Sequence, residues 1–397
     1  MTNPESMPLN FENTKIAFSY KRTGELKKAR FLFSSMGKPW LTKLGIDLTN
    51  LAFKLHLPIK MLIKPTIFKQ FCGGETLEEA DITALQLSTY GLGVIMDYGV
   101  EGKSSEIEFE KTTASFLRTI EFSSNKKYIP FISLKVTGFA RFELLEKLHR
   151  KDTLSPEETA EATRVSHRID LICNAAAKNN KMILIDAEET WIQQPVDDFA
   201  NNMMALYNKK KTVVFNTFQL YRHDRSAFLQ KSLQQAKEKN YFLGAKLVRG
   251  AYLEKERLRA SSMNYEDPIQ PSKEATDRDY DEAVEFCLDN LDYCSLFIGT
   301  HNEDSCMKAT HIMTKTSIPS SSDKVFFSQL YGMSDNISFN LAKNGYNVSK
   351  YLPYGPVEDV IPYLMRRAQE NTSVAGQTGR ELVLIHKELE RRKSANA

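Results

Sequence analysis

The sequence lacks the short motifs by which nucleotide-binding domains are usually recognised. It has neither a G-x-G-x-x-G fingerprint after an apolar run nor a G-x-x-x-x-G-K-[ST] phosphate loop. It has no run of about 18 apolar residues, which argues against a spanning helix. Lysine and arginine total 53 against 50 acidic residues, and this near balance gives no argument for binding nucleic acid.

Cysteine is also scarce, and the cysteines form no recognisable pattern. None of them lies in a C-x-x-C pair or beside histidine at metal-ligand spacing, which predicts free thiols, a reducing compartment and no metal site. Residues 1–14 hold Glu5 and Glu12 but no arginine, so we expect no secretory or mitochondrial leader and predict a cytoplasmic location. The five cysteines are Cys72, Cys173, Cys287, Cys294 and Cys306.

Residues 1–80 differ in composition from the rest and are predicted to form an N-terminal helical extension. Segment 38–70 holds six lysines and a single acid, Asp47, with apolar residues interspersed at partly helical spacing. Two interpretations stay open. The segment is either a helix pair that contacts a membrane surface, on the cytoplasmic face of an inner membrane, or a helical cap that packs on the main domain and exposes its lysines.

From residue 88 onward, short apolar runs alternate with amphipathic stretches. Eight such repeats predict an α/β fold with a distorted (β/α)8 barrel over residues 81–397, although an open doubly wound sheet has the same alternation. The polar segment 257–278 is interpreted as a loop, either a lid or a passive surface excursion. The predicted strands are Leu92–Tyr98, Ile129–Thr137, Met182–Ala187, Thr212–Gln219, Ala245–Gly250, Ser295–His301, Val325–Leu330 and Val348–Leu352.

Polar residues recur at the carboxyl ends of these predicted strands, which meet on one face of a barrel. Alternate residues of a strand share a face, so Lys135 is predicted to point inward, where it needs Asp97, Asp186 or an anionic ligand as a partner. In the last predicted helix, the adjacent Arg366 and Arg367 differ by about 100° around the axis and can bind an anion from two directions.

Several motifs resemble those of proline dehydrogenases, in particular the eukaryotic-type branch. They are Lys246-Leu247-Val248-Arg249-Gly250-Ala251-Tyr252, Asp186-Ala187-Glu188, Thr300-His301-Asn302 and the stretch from Tyr351 to Asn371. The resemblance covers roughly residues 80–390. It implies a barrel that holds FAD without covalent attachment and oxidises L-proline to Δ1-pyrroline-5-carboxylate, by hydride transfer from C5 to flavin N5, with a membrane quinone as the electron acceptor.

The resemblance also implies a role for individual residues. Arg366, Arg367 and Lys135 would bind the carboxylate of proline, and Glu101 would pair with the first of these arginines and gate the site. Lys246 would stabilise negative charge on the reduced flavin, and either water or Asp186 would accept the proton. Leu330, Tyr351, Tyr363 and Tyr252 would enclose the ring, and the flavin contacts would be Gln219, Lys246, Val248, Arg249, Gly250, Ala251, Thr300, His301, Asn302 and Glu370.

Two other functions remain in competition. A trans-4-hydroxy-L-proline dehydrogenase would have the same fold, but the bulky Tyr351 should press on C4 of the ring and exclude a hydroxyl group. A degenerate barrel that only binds a ligand would have lost the polar motif residues, which this sequence retains. The 397 residues contain no aldehyde dehydrogenase domain, so we expect a separate pyrroline-5-carboxylate dehydrogenase to consume the product.

Overall fold

Eight parallel strands form a closed barrel in sequence order, which confirms the predicted fold class. The computed structural model describes residues 9–54, 60–99, 103–373 and 375–395. The strands are β1 (Gly93–Tyr98), β2 (Phe131–Leu134), β3 (Met182–Ile185), β4 (Val214–Gln219), β5 (Leu243–Val248), β6 (Cys294–Gly299), β7 (Val325–Leu330) and β8 (Val348–Tyr354).

Helices precede, connect and follow the strands. A π-helical turn spans Lys64–Phe68 and a 3-10 turn spans Val136–Gly138. The α-helices are α1 (Thr14–Ala17), α2 (Thr23–Met36), α3 (Pro39–Lys54), α4 (Lys60–Ile63), α5 (Lys69–Phe71), α6 (Leu77–Ser88), α7 (Glu106–Ser123), α8 (Phe142–Arg150), α9 (Pro156–Lys178), α10 (Thr190–Tyr207), α11 (Arg225–Glu238), α12 (Leu253–Met263), α13 (Lys273–Leu288), α14 (Glu303–Lys315), α15 (Asp335–Lys343), α16 (Val357–Ser373) and α17 (Ala375–Ala395).

All eight predicted strands are present, with ends displaced by up to three residues. The prediction of a loop across residues 257–278 is wrong, because α12 continues to Met263 and α13 begins at Lys273. Glu256 and Ala260, four residues apart, are buried on one face of α12. A single small apolar residue and a buried acid leave no visible hydrophobic period, so the pattern of residue types did not reveal this helix.

Side-chain caps define where several helices begin. Ser105 and Glu108 form a capping box at α7, and Ser155 and Glu158 form another at α9. Pro156 occupies the first position of α9, where its missing N–H removes no helical hydrogen bond. These signals are local, because each capping box involves residues only three positions apart.

By the density of internal contacts the chain divides into two units, one of which is Ile95–Ser328. Four phenylalanines from four of its strands pack against one another, mostly edge to face. The ring of Phe131 lies 5.0 Å from those of Phe297 and Phe326, and Phe215 lies 6.0 Å from Phe131. Edge-to-face aromatic pairs contribute about 0.5–1.5 kcal/mol each beyond area burial, so this cluster is a strong core for the unit.

The other unit comprises Met1–Val94 and Gln329–Ala397. Its core joins buried faces of α2, α16 and α17 with Phe68 and Phe71. Within the described residues, no helix combines the length and the apolarity that crossing a bilayer requires. The extension predicted for residues 1–80 stays a prediction.

Candidate active site

Two lysines share one carboxylate at the carboxyl ends of β2, β3 and β5. Lys246 donates from Nζ to Oδ1 of Asp186 at 2.5 Å, and Nζ of Lys135 lies 3.6 Å from Oδ2. All three side chains are at least 87 % buried. Charged groups are this deeply buried only when they are paired, and such sites are frequent candidates for function.

The strand register explains why these three side chains meet. The backbone N–H of Asp186 donates to the carbonyl of Leu134 at 2.9 Å, which extends the β2–β3 ladder by one step and places Asp186 beside Lys135. Lys246 is paired in register with Phe297 of β6, one of the core rings, so both side chains lie on the same side of the sheet. Asp186, one of the partners predicted for Lys135, is thus in contact with it.

Ser133 belongs to this group, and sequence reasoning did not assign it a role. Its hydroxyl donates to Oδ1 of Asp186 at 2.8 Å. The alternation of side chains along a strand could have indicated a role, because Ser133 and Lys135 are two residues apart and lie on the same face. The residue type alone does not indicate a role, however, because the contact with Asp186 depends on the pairing of β2 with β3. The fully buried hydroxyl helps to fix the carboxylate that both lysines contact.

Two buried glutamates follow β3 and β5. Glu188 accepts from the N–H of Thr137 at 3.1 Å and from its hydroxyl at 2.5 Å. Burial raises the pKa of Glu188 to about 7, because loss of hydration outweighs these two hydrogen bonds. Glu256 accepts from the N–H and hydroxyl of Thr190 at 2.8 and 2.6 Å, and burial raises its pKa as well.

Arg249 joins the segments that follow β5 and β6. Its guanidinium donates to Asp277 at 2.6 Å, to the hydroxyl of Thr300 at 2.7 Å and to the hydroxyl of Ser305 at 3.0 Å. The same group lies 4.3 Å from the centre of the Tyr280 ring. These contacts place Arg249 and Thr300, both predicted from the motifs, side by side.

The carboxyl end of β4 carries a buried acceptor without a donor among the described residues, and the segment after β5 carries a glycine that internal packing requires. The side-chain oxygen of Gln219 is buried and accepts no hydrogen bond within the described part of the chain. Gly250 has φ of +144°, and a Cβ added there would lie 2.4 Å from the ring of Tyr221. A buried acceptor without a donor is rare in proteins, so the oxygen of Gln219 can accept a hydrogen bond from a ligand or a water molecule.

In the other unit, the predicted anion-binding arginines lie on α16. Arg367 is 8 % exposed, and its guanidinium carbon lies 5.2 Å from the centre of the buried ring of Tyr363. Arg366 is half-buried. Carboxylate binding, the role that the sequence predicted for the pair, stays a prediction.

A buried ion pair fixes the turn after β7 to β8. Nζ of Lys350, with a fully buried side chain, lies 2.9 Å from a carboxylate oxygen of Asp335 and donates to the carbonyl of Met333 at 2.6 Å. Tyr20 and Lys21 also contact this carboxylate, at 2.8 and 3.0 Å. Burial acts against the charge, but Lys21 and Lys350 lower the pKa of Asp335 to about 2. The network holds the backbone that carries the predicted substrate residues of β7 and β8.

Most of the predicted site residues lie at or just after the carboxyl end of a strand. Glu101 lies outside the described residues, as does the side chain of Glu370, so their predicted roles stay predictions. The positions in chain order are Lys135 after β2, Asp186 after β3, Gln219 ending β4, Lys246 and Val248 in β5 with Arg249, Gly250, Ala251 and Tyr252 after it, Thr300, His301 and Asn302 after β6, Leu330 ending β7, Tyr351 in β8, and Tyr363, Arg366, Arg367 and Glu370 in α16.

A family model described as proline dehydrogenase matches residues 80–380, which is well over half of the chain. The chain belongs to the proline dehydrogenase family. This finding confirms the family and the enzyme class that the motifs predicted.

Proteins named for different activities are similar to this chain in sequence over most of its length. Proline dehydrogenase 1, mitochondrial, of Dictyostelium discoideum is 29% identical over 98% of this chain and 76% of its own length. Hydroxyproline dehydrogenase of Mus musculus is 32% identical over 97% and 94%. Carbapenem antibiotics biosynthesis protein CarD of Pectobacterium carotovorum is 34% identical over 81% and 83%. Membership of the proline dehydrogenase family therefore leaves the substrate to be argued from the site.

The fold is similar to that of solved proline utilization A proteins. The structure from Bdellovibrio bacteriovorus superposes with a TM-score of 0.70 at 17% identity, over 92% of this chain. This chain spans 37% of that protein, so the similarity supports the barrel fold and nothing further.

The raised pKa of the buried Glu188 predicts that the stability of the protein depends on pH. Its pKa is raised from 4.5 to about 7, so its contribution is fully present below about pH 4.5 and is lost as pH rises through 7. We expect the free energy of unfolding to fall from pH 5 to pH 8 by up to about 3 kcal/mol more than in Glu188→Gln. Urea denaturation at both pH values measures this. The exposed Glu282→Gln should behave as wild type, and equal slopes in all three proteins would contradict the assignment.

Proposed function

We propose that the protein oxidises L-proline to Δ1-pyrroline-5-carboxylate with FAD as its cofactor. The observation that carries the proposal is the group formed by Lys135, Asp186 and Lys246 in a chain of the proline dehydrogenase family. Their strands contribute these residues at carboxyl ends, where (β/α)8 enzymes hold their substrates. Two buried cations beside a single carboxylate leave one net positive charge, which suits a substrate that carries a carboxylate.

The residues present fit a flavin. The buried side-chain oxygen of Gln219, which accepts no hydrogen bond within the described residues, can accept from an N–H of the flavin ring. When bound, the flavin supplies a two-electron acceptor, which no amino-acid side chain provides. The residues proposed to hold it are Gln219, Lys246, Val248, Arg249, Gly250, Ala251, Thr300, His301, Asn302 and Glu370.

The chain's own residues bind and orient the substrate. We assign the proline carboxylate to Arg366, Arg367 and Lys135, on the resemblance of their motifs to those of the family. Of the two lysines, Lys135 makes the longer contact with Asp186, at 3.6 Å, which favours it over Lys246 for this role. Clamping the carboxylate orients the ring for reaction at C5. Leu330, Tyr351, Tyr363 and Tyr252 are proposed to enclose the ring, with Glu101 as the gate.

Charge and proton movements complete the proposal. Asp186 holds the ammonium of Lys246 in place through the 2.5 Å contact, and this cation stabilises the negative charge that the oxidation generates. The ring nitrogen must be neutral before hydride leaves C5, and its proton passes to water or to Asp186. The proposed electron acceptor is a quinone, and a separate pyrroline-5-carboxylate dehydrogenase is proposed to consume the product.

The experiment that tests this function is an anaerobic titration of the purified protein. We expect a yellow protein whose visible flavin absorption bleaches on addition of L-proline, because the substrate transfers two electrons. D-proline, which presents its hydrogens to the opposite face, is the matched control. Protein that carries no flavin would instead support the alternative of a barrel that only binds a ligand.

Hydroxyproline is the second candidate substrate, since a hydroxyproline dehydrogenase matches nearly the whole chain. Tyr351, only 8 % exposed, is the residue expected to decide between the two. We predict that Tyr351→Ser lowers the ratio of kcat/KM for L-proline to that for trans-4-hydroxy-L-proline by about 10–100-fold, because it opens space beside C4. Steady-state kinetics with both substrates measures the ratio. Tyr346→Ser, half-buried before β8, is the control, and a ratio unchanged by Tyr351→Ser would reject the assignment.

A further inference from the structure

The N-terminal segment, residues 11–21, is held by side chains of α15 and α17. The side-chain amide of Asn336 in α15 donates to the carbonyl of Phe11 at 3.3 Å. The guanidinium of Arg392 in α17 donates to the carbonyl of Lys21 at 2.9 Å. Hydrogen bonds from side chains to the backbone at both ends fix the path of this segment, because the backbone of a short helix such as α1 satisfies few of its own groups.

The segment ends in two residues that contact Asp335, the first residue of α15. The hydroxyl of Tyr20 donates to Oδ2 of Asp335 at 2.8 Å, and Nζ of Lys21 lies 3.0 Å from the same oxygen. The ring of Tyr20 stacks on Phe339 at 4.7 Å, which holds the hydroxyl in place. Nζ of Lys350 lies 2.9 Å from the other carboxylate oxygen. The N-terminal segment and β8 therefore share one carboxylate.

Burial makes the charges of this group depend on one another. The side chains of Lys21, Asp335 and Lys350 are 13 %, 2 % and 0 % exposed, and an unpaired charge at this depth is strongly unfavourable. Glu381 of α17 is buried beside them and accepts from the backbone N–H of Ser334. Burial and the neighbouring Asp335 raise the pKa of Glu381 to about 7. Once Glu381 ionises, two carboxylates are present, and Lys21 supplies one of the two cations that balance them.

Lys350 connects this charged group to the proposed substrate residues of β7 and β8. Its ammonium donates to the carbonyl of Met333 at 2.6 Å and to that of Leu330 at 3.4 Å. The backbone N–H of Tyr331 donates to the carbonyl of Tyr351 at 2.9 Å, which joins the two strand ends. Successive side chains of a strand point to opposite faces, so Lys350 fixes β8 from the face opposite to that of Tyr351.

We propose that Tyr20 and Lys21 are positioning residues for the substrate site. They hold Asp335, Asp335 holds the ammonium of Lys350, and this ammonium fixes the part of β8 that carries Tyr351. The N-terminal segment thereby influences which ring the site accepts, although none of its residues is assigned a contact with the substrate. The inference rests on the proposed function, because it concerns how the residues around the substrate ring are held.

Hydrogen exchange of the full-length protein tests the structural link without any assay of activity. In Lys21→Met, we expect the backbone amides of residues 330–334 and 348–354 to exchange about tenfold faster than in wild type, because the charged group loses one of its two cations. Lys15→Met, which alters an exposed lysine of the same segment, is the matched control and should exchange as wild type. Strand β4 should be unaffected in both variants. Unchanged exchange at residues 330–334 and 348–354 in Lys21→Met would overturn the proposal.

Steady-state kinetics tests the effect on the substrate site. Lys21→Met should raise KM for L-proline about tenfold, because a small misplacement of substrate contacts weakens binding, while kcat stays near wild type. The ratio of kcat/KM for L-proline to that for trans-4-hydroxy-L-proline should fall about fivefold, because a loosened Tyr351 excludes the hydroxyl less well. This ratio does not depend on the fraction of folded protein, so loss of stability alone leaves it unchanged. Lys21→Arg retains the charge and should restore both values.

Tyr20→Phe is a milder variant that tests the same link if Lys21→Met does not fold. It removes one hydroxyl and no charge, so KM and the substrate ratio should change in the same directions by about threefold. Faster exchange with an unchanged KM and an unchanged ratio would show that the contacts only stabilise the fold, and would overturn the positioning role. If the wild-type protein oxidises neither substrate, the proposed function fails by itself, and the exchange measurement alone then accepts or rejects the positioning of Tyr351.

Discussion

Arg366→Ala and Arg367→Ala are each expected to raise KM for L-proline by about 100-fold while the flavin stays bound. An arginine that binds a carboxylate contributes charge-assisted hydrogen bonds of about 1.5–3 kcal/mol. Loss of such an interaction weakens substrate binding, and KM rises when the interaction is equally present in ground and transition states. Steady-state kinetics and the ratio of flavin to protein absorbance together measure the effect.

The matched control for these substitutions is Arg391→Ala on α17. Arg391 pairs with Glu388 at 2.8 Å and has no role in the proposed site, so its loss should leave KM unchanged. Arg366→Lys and Arg367→Lys retain the charge but not the planar fork, and they should give intermediate values. If KM stays at the wild-type value in both alanine variants, the proposed carboxylate clamp is wrong.

Lys246→Met is expected to lower kcat about 100-fold, which is the usual size of the effect when one preorganised electrostatic contact is removed. The substitution keeps the length of the side chain but removes the cation 2.5 Å from Asp186. We also expect a lower reduction potential of the bound flavin, because the reduced form loses a stabilising positive charge. Spectroelectrochemistry of the purified variant measures the potential independently of turnover.

A substitution at a second buried lysine is the control that distinguishes loss of the Lys246 cation from a general loss of stability. Lys181, before β3, is 4 % exposed and donates to the carbonyls of Lys126 and Ile129 at 2.8 and 2.9 Å. Lys181→Met removes an equally buried ammonium and should cost stability while leaving kcat and the potential near wild type. Asp186→Asn combined with Lys246→Met should show non-additive effects, because the two residues are in direct contact. Additive effects and an unchanged potential would reject the assigned role of Lys246.

Local sequence patterns predicted most of the strands and the alternation of strands with helices. The eight strands were predictable because a short apolar run followed by an amphipathic stretch repeats along the chain, and both periods depend only on neighbouring residues. Helix α12 was not predicted, because its buried face consists of Glu256 and Ala260. A search for apolar residues at helical spacing does not detect such a face.

The sequence predicted which residues belong to the candidate site, but not which of them contact one another. Lys135, Asp186 and Lys246 were expected from the carboxyl ends of their strands and from the family motifs. Neither source indicates that Asp186 accepts from Ser133 and Lys246 through the same oxygen atom. That arrangement depends on the register of β2, β3 and β5, which brings together residues more than fifty positions apart.

By itself, the sequence determined the alternation of strands and helices and the kinds of side chain available for chemistry, because periodicity, turns and motifs are properties of short segments. The closure of the eight strands into a barrel depends on pairing between segments that are distant in the chain. Only the tertiary structure decided which charges became partners and which were buried. Asp335 contacts Tyr20, Lys21 and Lys350, and Glu188 acquires a pKa of about 7, without any local signal. Burial and pairing are set by segments distant in the chain, and the free energy of a charge depends on both.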